Sequence, residues 1–179
     1  MSEQAVLMSN SKLTLVLMAG LKGAGKTTLT RALSQKLTWP YIDRDRFKEQ
    51  LTEGAVKEEE ARDIAYELAL EAARMLIMRG GSVILDSSAL YNPIIHKAQH
   101  IVQSAGDAQL KIILCSVDDD VRYERVRKKL GQDAIIRDNP AIRNEYLQYY
   151  KRLPSDRLEL DTSQSLERCL AVAIDYLQS

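Results

Sequence analysis

Two cysteines in 179 residues, Cys115 and Cys169, are too few for a disulfide framework, and their spacing matches no metal-ligand pattern. Cys115 closes an apolar run and reads as a core residue. The two histidines, His96 and His100, stand four apart on one predicted helix face. No H-E-x-x-H motif accompanies them, so they read as surface or core residues rather than a metal pair. No apolar run approaches the roughly 20 residues of a membrane span. Met1 to Asn10 has neither a basic leader segment nor a sustained apolar stretch. The expectation is a soluble cytoplasmic protein with a loose tail over residues 1–11. An excess of charge is missing too: 25 Lys and Arg balance 25 Asp and Glu. The strongly basic footprint of a non-specific nucleic-acid binder is therefore absent. Repeats, low-complexity tracts and long linkers are lacking as well. The length suits one domain, expected over residues 12–179 and large enough to bury most of its apolar surface.

What is present begins at Leu13. An apolar run to Ala19 enters Gly20-Leu21-Lys22-Gly23-Ala24-Gly25-Lys26-Thr27, and Thr28 continues into a helical pattern. This is the complete G-x-x-x-x-G-K-[ST] phosphate-binding loop in its required strand–loop–helix context. Glycines let successive backbone N–H groups turn toward phosphate oxygens. Lys26 is expected to reach the β and γ phosphates and Thr27 to hold Mg²⁺. The helix behind them aims its positive end at the same anion. A nucleoside triphosphate with a divalent cation is thereby the expected ligand.

Short apolar runs alternate with helical segments along the rest of the chain. Strands are predicted at Leu13–Ala19, Tyr41–Asp43, Ser82–Leu85, Leu110–Cys115 and Arg157–Leu160. Helices are predicted at Lys26–Leu37, Asp45–Leu51, Lys57–Arg79, Pro93–Ala105, Asp119–Leu130, Pro140–Arg152 and Leu166–Leu177. That alternation argues for an α/β fold, a parallel sheet covered by helices on both faces. Ligands of such sheets sit beyond the carboxyl ends of the strands, so the residues just after each strand matter most.

After the second strand comes Asp43-Arg44-Asp45-Arg46-Phe47-Lys48. Asp45 is placed to accept the proton of an attacking hydroxyl, while Asp43 or Asp45 also suits a helix N-cap. After the third strand, Asp86 resembles a carboxylate that holds Mg²⁺ directly or through water, with Ser87 and Ser88 as polar contacts. An N-capping aspartate would look the same. Arg122, Arg125 and Lys129 share a helix face, Arg127 and Lys128 turn elsewhere, and Arg137 and Arg143 follow across a polar loop. A basic helix end with such a loop is what a phosphate-closing lid needs, placed at about 127–139. Among these cations Arg125 ranks first, then Arg127 and Lys129. A solvated basic face near a helix C-terminus is the plainer reading. Trp39 and Phe47 read as packing residues, and Arg62 and Tyr66 as the border of an acceptor pocket.

The segments GLKGAGKTT, YIDRDRFKEQL, VILDSS and RYERVRKK, in this order, resemble the small P-loop kinases that phosphorylate hydroxyl groups. These comprise AAA_33, zeta-toxin-like and chloramphenicol-phosphotransferase-like kinases, with the phage-type polynucleotide 5′-kinase domain as a relative. The resemblance runs from about Lys12 to Gln178. It implies a P-loop fold with a five-stranded parallel sheet, ATP with Mg²⁺, and γ-phosphoryl transfer to an alcohol. Lys26 and Thr27 fall on the family's P-loop pair, Asp45 on its general base and Arg125 on its lid arginine. Leu160 to Ser163, including Thr162, looks like the last strand and the loop bordering adenine. One departure is Lys48, where polynucleotide kinases tend to carry an arginine that grips the acceptor-side phosphate; lysine lacks the bidentate fork.

The reading is an ATP-dependent kinase acting on a small-molecule hydroxyl. Lys26, Asp45, Arg125 and Arg127 are its catalytic candidates, and Asp45, Lys48, Asp86 and Ser87 its acceptor-side candidates. Thr27 and Asp86 are the metal candidates. Gly20 to Thr28, Arg125 and Thr162 form the candidate nucleotide site. A polynucleotide or tRNA 5′-OH kinase is the alternative, so nucleic acid is a less favoured partner. A non-catalytic nucleotide-binding module or switch is a further one, although the N-K-x-D motif of a GTPase is missing. No membrane partner is expected, and neither the acceptor nor the oligomeric state is named by the sequence.

Overall fold

A computed structural model describes residues 12–87, 92–131 and 140–179. The expected tail at 1–11, Ser88, Arg137 and most of the proposed lid, 132–139, lie outside the described residues. The strands are β1 (Leu13–Ala19), β2 (Tyr41–Asp43), β3 (Val83–Asp86), β4 (Ala108–Ser116) and β5 (Leu158–Asp161). They form one five-stranded sheet in the order β2-β3-β1-β4-β5, every pairing parallel. The helices are α1 (Lys26–Leu37), α2 (Arg44–Glu53), α3 (Glu58–Met78), α4 (Asn92–Ser104), α5 (Asp119–Leu130), α6 (Pro140–Lys151) and α7 (Leu166–Gln178). This is the α/β P-loop NTPase fold.

β1 lies at the centre and is apolar on both faces, because a sheet sandwiched by helices buries both. Strand alternation sends Leu15, Leu17 and Ala19 to a core shared with α3, α4 and α6. Val16 and Met18 go to a second core shared with α1 and α7. Phe47 packs against the first core and Trp39 against the second. The buried stripe of α3 contains Ala61, Ala65, Ala69 and Ala73 at four-residue spacing. Such small side chains let the helix approach the sheet closely.

Register sets the functional end of the sheet. Asp43 on β2 and Met18 on β1 both align with Asp86 on β3. Three strand ends therefore finish level, and the phosphate loop leaves β1 two residues later.

Most other element boundaries lie within one or two residues of expectation, and two of the shifts have identifiable reasons. β4 starts at Ala108 rather than Leu110, since Ala108 and Gln109 pair with Leu13 and Thr14 of β1, and Gln109 Nε2 donates to Thr14 Oγ1 at 3.1 Å. No apolar run announces those two residues. α2 starts at Arg44 rather than Asp45, because the last strand residue, Asp43, is itself the N-cap: its Oδ1 accepts from the Asp45 N–H at 3.1 Å. Among the described residues, no helix is long and apolar enough to cross a membrane.

Candidate active site

The phosphate loop takes its shape from glycines in backbone conformations that other residues rarely adopt. Gly20 has φ +137°, and a Cβ there would stand 2.4 Å from the Cys115 carbonyl oxygen. Gly25 caps α1 in the left-handed region at φ 84°, and no side chain caps the helix. The first amides of α1 are thus left for an anion, as at other phosphate-binding helix N-termini. These two features fit a polyphosphate: a close backbone cradle and uncapped, oriented N–H groups.

Lys26 folds over the loop, its Nζ donating to the Gly20 carbonyl at 2.7 Å and the Leu21 carbonyl at 3.1 Å. Burial lowers its pKa, and the nearby carboxylates, Asp86 foremost, oppose that shift. Asp86 is 5% exposed. Burial raises its pKa; a hydrogen bond from the Thr27 hydroxyl and the charge of Lys26 pull the other way. Thr27 and Asp86 thus form a paired oxygen site beside Lys26, the hard donor chemistry that suits Mg²⁺. The thiol of Cys115 lies under the loop and is pushed up to about 12 by burial, which makes it an inert packing group.

Across the same cleft stand Asp43, Arg44, Asp45 and Lys48. The Asp45 side chain is 65% exposed and its Oδ1 lies 2.9 Å from Arg44 Nη2. Lys48 Nζ donates to Glu58 Oε1 at 2.6 Å, so its charge is already committed within the fold. Ser87 is buried beside Asp86 on the cleft wall, and Thr28 lines the loop end. The cleft, about 1810 Å³, has room for a nucleotide and a small second substrate.

On the far side of the loop, Arg125 and Thr162 come together. Arg125 donates from Nη1 to Thr162 Oγ1 at 3.0 Å and from Nη2 to the Thr162 carbonyl at 2.7 Å. The Thr162 hydroxyl lies 3.0 Å from the Ala24 carbonyl oxygen, and its Oγ1 is 3.3 Å from where a Gly25 Cβ would be. Arg125 is therefore anchored beside the loop. Arg127 is not brought to the cleft: it pairs with Glu124 one turn back and does not line the cavity. Lys129, one turn beyond Arg125, does line it. The helical period explains the exchange, since i and i+4 share a face and i and i+2 do not.

Arg122 has a different task from a lid cation. It is 2% exposed, donating from Nε to Asp119 at 3.0 Å and from Nη1 to the Lys22 carbonyl at 3.1 Å. Asp119 also holds Arg143. These residues brace the loop from behind.

Arg44 carries no catalytic assignment in the sequence reading, yet its guanidinium is buried in the cleft over the Tyr66 ring. Arg44 opens α2 directly after β2, and the ring that buries it comes from α3, so no local pattern in the sequence carries the signal.

A family model described as AAA domain, AAA_33, matches residues 15–153. Among curated proteins, shikimate kinase 2 of Yersinia enterocolitica is 34% identical over 79 residues, covering 39% of this chain and 45% of the relative. The chain thus spans about half the length of the curated relatives it matches. A solved structure from Chloroflexus aurantiacus superposes with TM-score 0.71 at 22% identity, over 95% of this chain and 98% of that one. The APS kinase of Mycobacterium tuberculosis, in complex with AMPPNP and APS, superposes with TM-score 0.63 at 17% identity, over 94% and 99%. At these identities the two structures show the fold. The chain belongs to the AAA_33 family of AAA domains, on the α/β fold of the small P-loop kinases.

Proposed function

We propose that this protein is an ATP-dependent phosphotransferase whose acceptor is a hydroxyl of a small molecule. The observation that carries the proposal is that Asp45 shares one cleft with Lys26, Thr27 and Asp86. A donor site and a base for an incoming hydroxyl then line the same cavity. The curated relatives are named shikimate kinases, and the APS kinase structure holds an ATP analogue, which supports ATP as donor and a small acceptor.

In this reading the loop amides of residues 20–27 and Lys26 bind the β and γ phosphates. Thr27 and Asp86 hold Mg²⁺. Mg²⁺ held there would shield the charge of the phosphoryl group that ATP donates. Asp45 orients the acceptor hydroxyl and takes its proton as the new O–P bond forms and the bond from the γ-phosphorus to the β–γ bridging oxygen breaks, with ADP as the leaving group. Arg125 and Thr162 hold the nucleoside end, Ser87 lines the acceptor side, and Lys129 supplies the lid charge that Arg127 does not bring to the cleft. Water exclusion falls to the segment at about 127–139, the lid of a single domain over residues 12–179. A cytoplasmic setting suits such an enzyme. A polynucleotide acceptor has less in its favour, because Lys48 is already held by Glu58 and the net charge is zero.

An ATP-consumption screen against sugars, hydroxy acids, nucleosides, antibiotics and 5′-OH oligonucleotides tests the reading, with Lys26→Ala as control. Acceptor-dependent ADP release that vanishes in the control is expected. Nucleotide binding without transfer to any acceptor contradicts it.

A further inference from the structure

One charged side chain on the acceptor side of the cleft is buried with a donor unused. Arg44 exposes 7% of its side chain, and its guanidinium carbon lies 4.5 Å from the centroid of the Tyr66 ring. Its Nε–H is buried without a hydrogen-bond acceptor among the described residues. Its Nη2 meets Asp45, whose own side chain is largely in solvent. Leaving a buried donor of a permanently charged group unmade is costly, and such groups call for an explanation. A bound ligand supplies one.

The neighbouring cations are differently occupied. Lys26 donates to two loop carbonyls, and Lys48 is held by Glu58. Arg44 is near enough to Lys26 for their charges to interact, so it stands at the border between the donor phosphates and the acceptor space. Its contact with the Tyr66 ring holds the guanidinium in place, and a held guanidinium is a fork for paired oxyanions. Asp45, the next residue, sits on the same guanidinium. A molecule seated by an anionic group on Arg44 therefore presents its remaining groups to Asp45.

We propose that Arg44 determines acceptor specificity, and that the acceptor is a small hydroxy acid bearing a carboxylate, phosphate or sulfate as well as the alcohol. This rests on the kinase reading above. Arg44 is a binding residue in this scheme, and the phosphoryl transfer itself stays with Asp45. A neutral polyol would fill the space and leave the buried Nε–H unpaired, which discriminates against it.

The test is an NMR titration of full-length protein saturated with a non-hydrolysable ATP analogue and Mg²⁺, so that the phosphate loop is filled. The Arg44 Nε–Hε resonance is assigned by its disappearance in both Arg44→Lys and Arg44→Gln. Sulfate and gluconate are titrated as oxyanion probes and glucose as the neutral counterpart. The expected result is a saturable shift with at least one oxyanion and none with glucose, with the affinity for that oxyanion falling about tenfold or more in Arg44→Lys. An unmoved resonance with both oxyanions overturns the proposal. So does a shift seen only without nucleotide, which would assign Arg44 to the donor phosphates. Binding of the ATP analogue, read in the same samples, separates the two failures. A silent Arg44 with nucleotide bound overturns the anionic acceptor alone, whereas failure to bind nucleotide overturns the kinase reading and this proposal together.

Discussion

Arg122 donates from Nη1 to the carbonyl oxygen of Lys22 at 3.1 Å, tying the first turns of α5 to the middle of a loop 100 residues earlier. The arginine is buried, and its Nε is held by Asp119. The loop is therefore pre-shaped by a side chain that touches no expected ligand, and preorganisation of this kind lowers the entropy lost on binding. Arg122→Met removes the donor and leaves a loop carbonyl less satisfied. A stability loss of about 2 kcal/mol is expected, with weaker ATP binding, read as a lower urea midpoint and a higher Kd. An unchanged Kd would show that the brace is incidental.

Gly20→Ala puts a Cβ where the Cys115 carbonyl stands 2.4 Å away, on a backbone at φ +137°. Neither atom is the end of a flexible side chain, so β1 and β4 must separate or the loop must rotate. The expected cost is about 3 kcal/mol, together with loss of nucleotide binding. Calorimetry of ATP binding at a temperature where the variant is still folded checks this; wild-type affinity there contradicts it.

Thr162→Val keeps the shape and removes the hydroxyl. Arg125 then loses one acceptor, and the Ala24 and Ser116 carbonyls lose a shared donor. KM for ATP is expected to rise several-fold, with kcat little changed, corresponding to about 1 kcal/mol of binding. A fall in kcat at unchanged KM would place this pair at the transferring phosphoryl group instead.

Asp86 gives a signed pH dependence. Burial raises its folded pKa above the ordinary 3.8. Between 3.8 and the raised value the folded state holds more of the proton than the unfolded state does, so the relative stability Asp86 contributes is full below 3.8 and is lost as pH rises through the folded value. Subtracting the curve of Asp86→Asn from that of the wild type isolates the effect. The difference should move against the wild type as pH climbs from 3.8 and then level off. A difference moving the opposite way would mean that Thr27 and Lys26 outweigh desolvation.

The glycine loop and the apolar run before it mark β1 and α1 to the residue, because each residue there has a local reason to be where it is. β2 is equally legible although only three residues long, since Asp43 ends it as both strand residue and cap. The start of β4 is not, as its first residues are chosen by their partners on β1 rather than by their own hydrophobicity. The same division holds in the cleft. Asp45, Asp86 and Lys26 stand at strand ends or in a motif, where topology alone brings them near one another. Arg44 escapes notice because burial of an arginine depends on a ring 22 positions away, Tyr66, that no local pattern connects to it. The choice between Arg127 and Lys129 is in the helical period itself, which sets Lys129 with Arg125 and turns Arg127 toward Glu124.

Asp45 carries the central claim, because it alone separates a kinase from a protein that only binds nucleotide. The most direct measurement follows transfer of the labelled γ-phosphoryl group to whichever acceptor supports ADP release, with ATP affinity measured in parallel for wild type and Asp45→Asn. Loss of general-base assistance predicts a fall in kcat of about 10²- to 10⁴-fold, with Kd for ATP changed less than about twofold. Equal losses of transfer and ATP affinity, or undiminished transfer in the variant, would contradict the account.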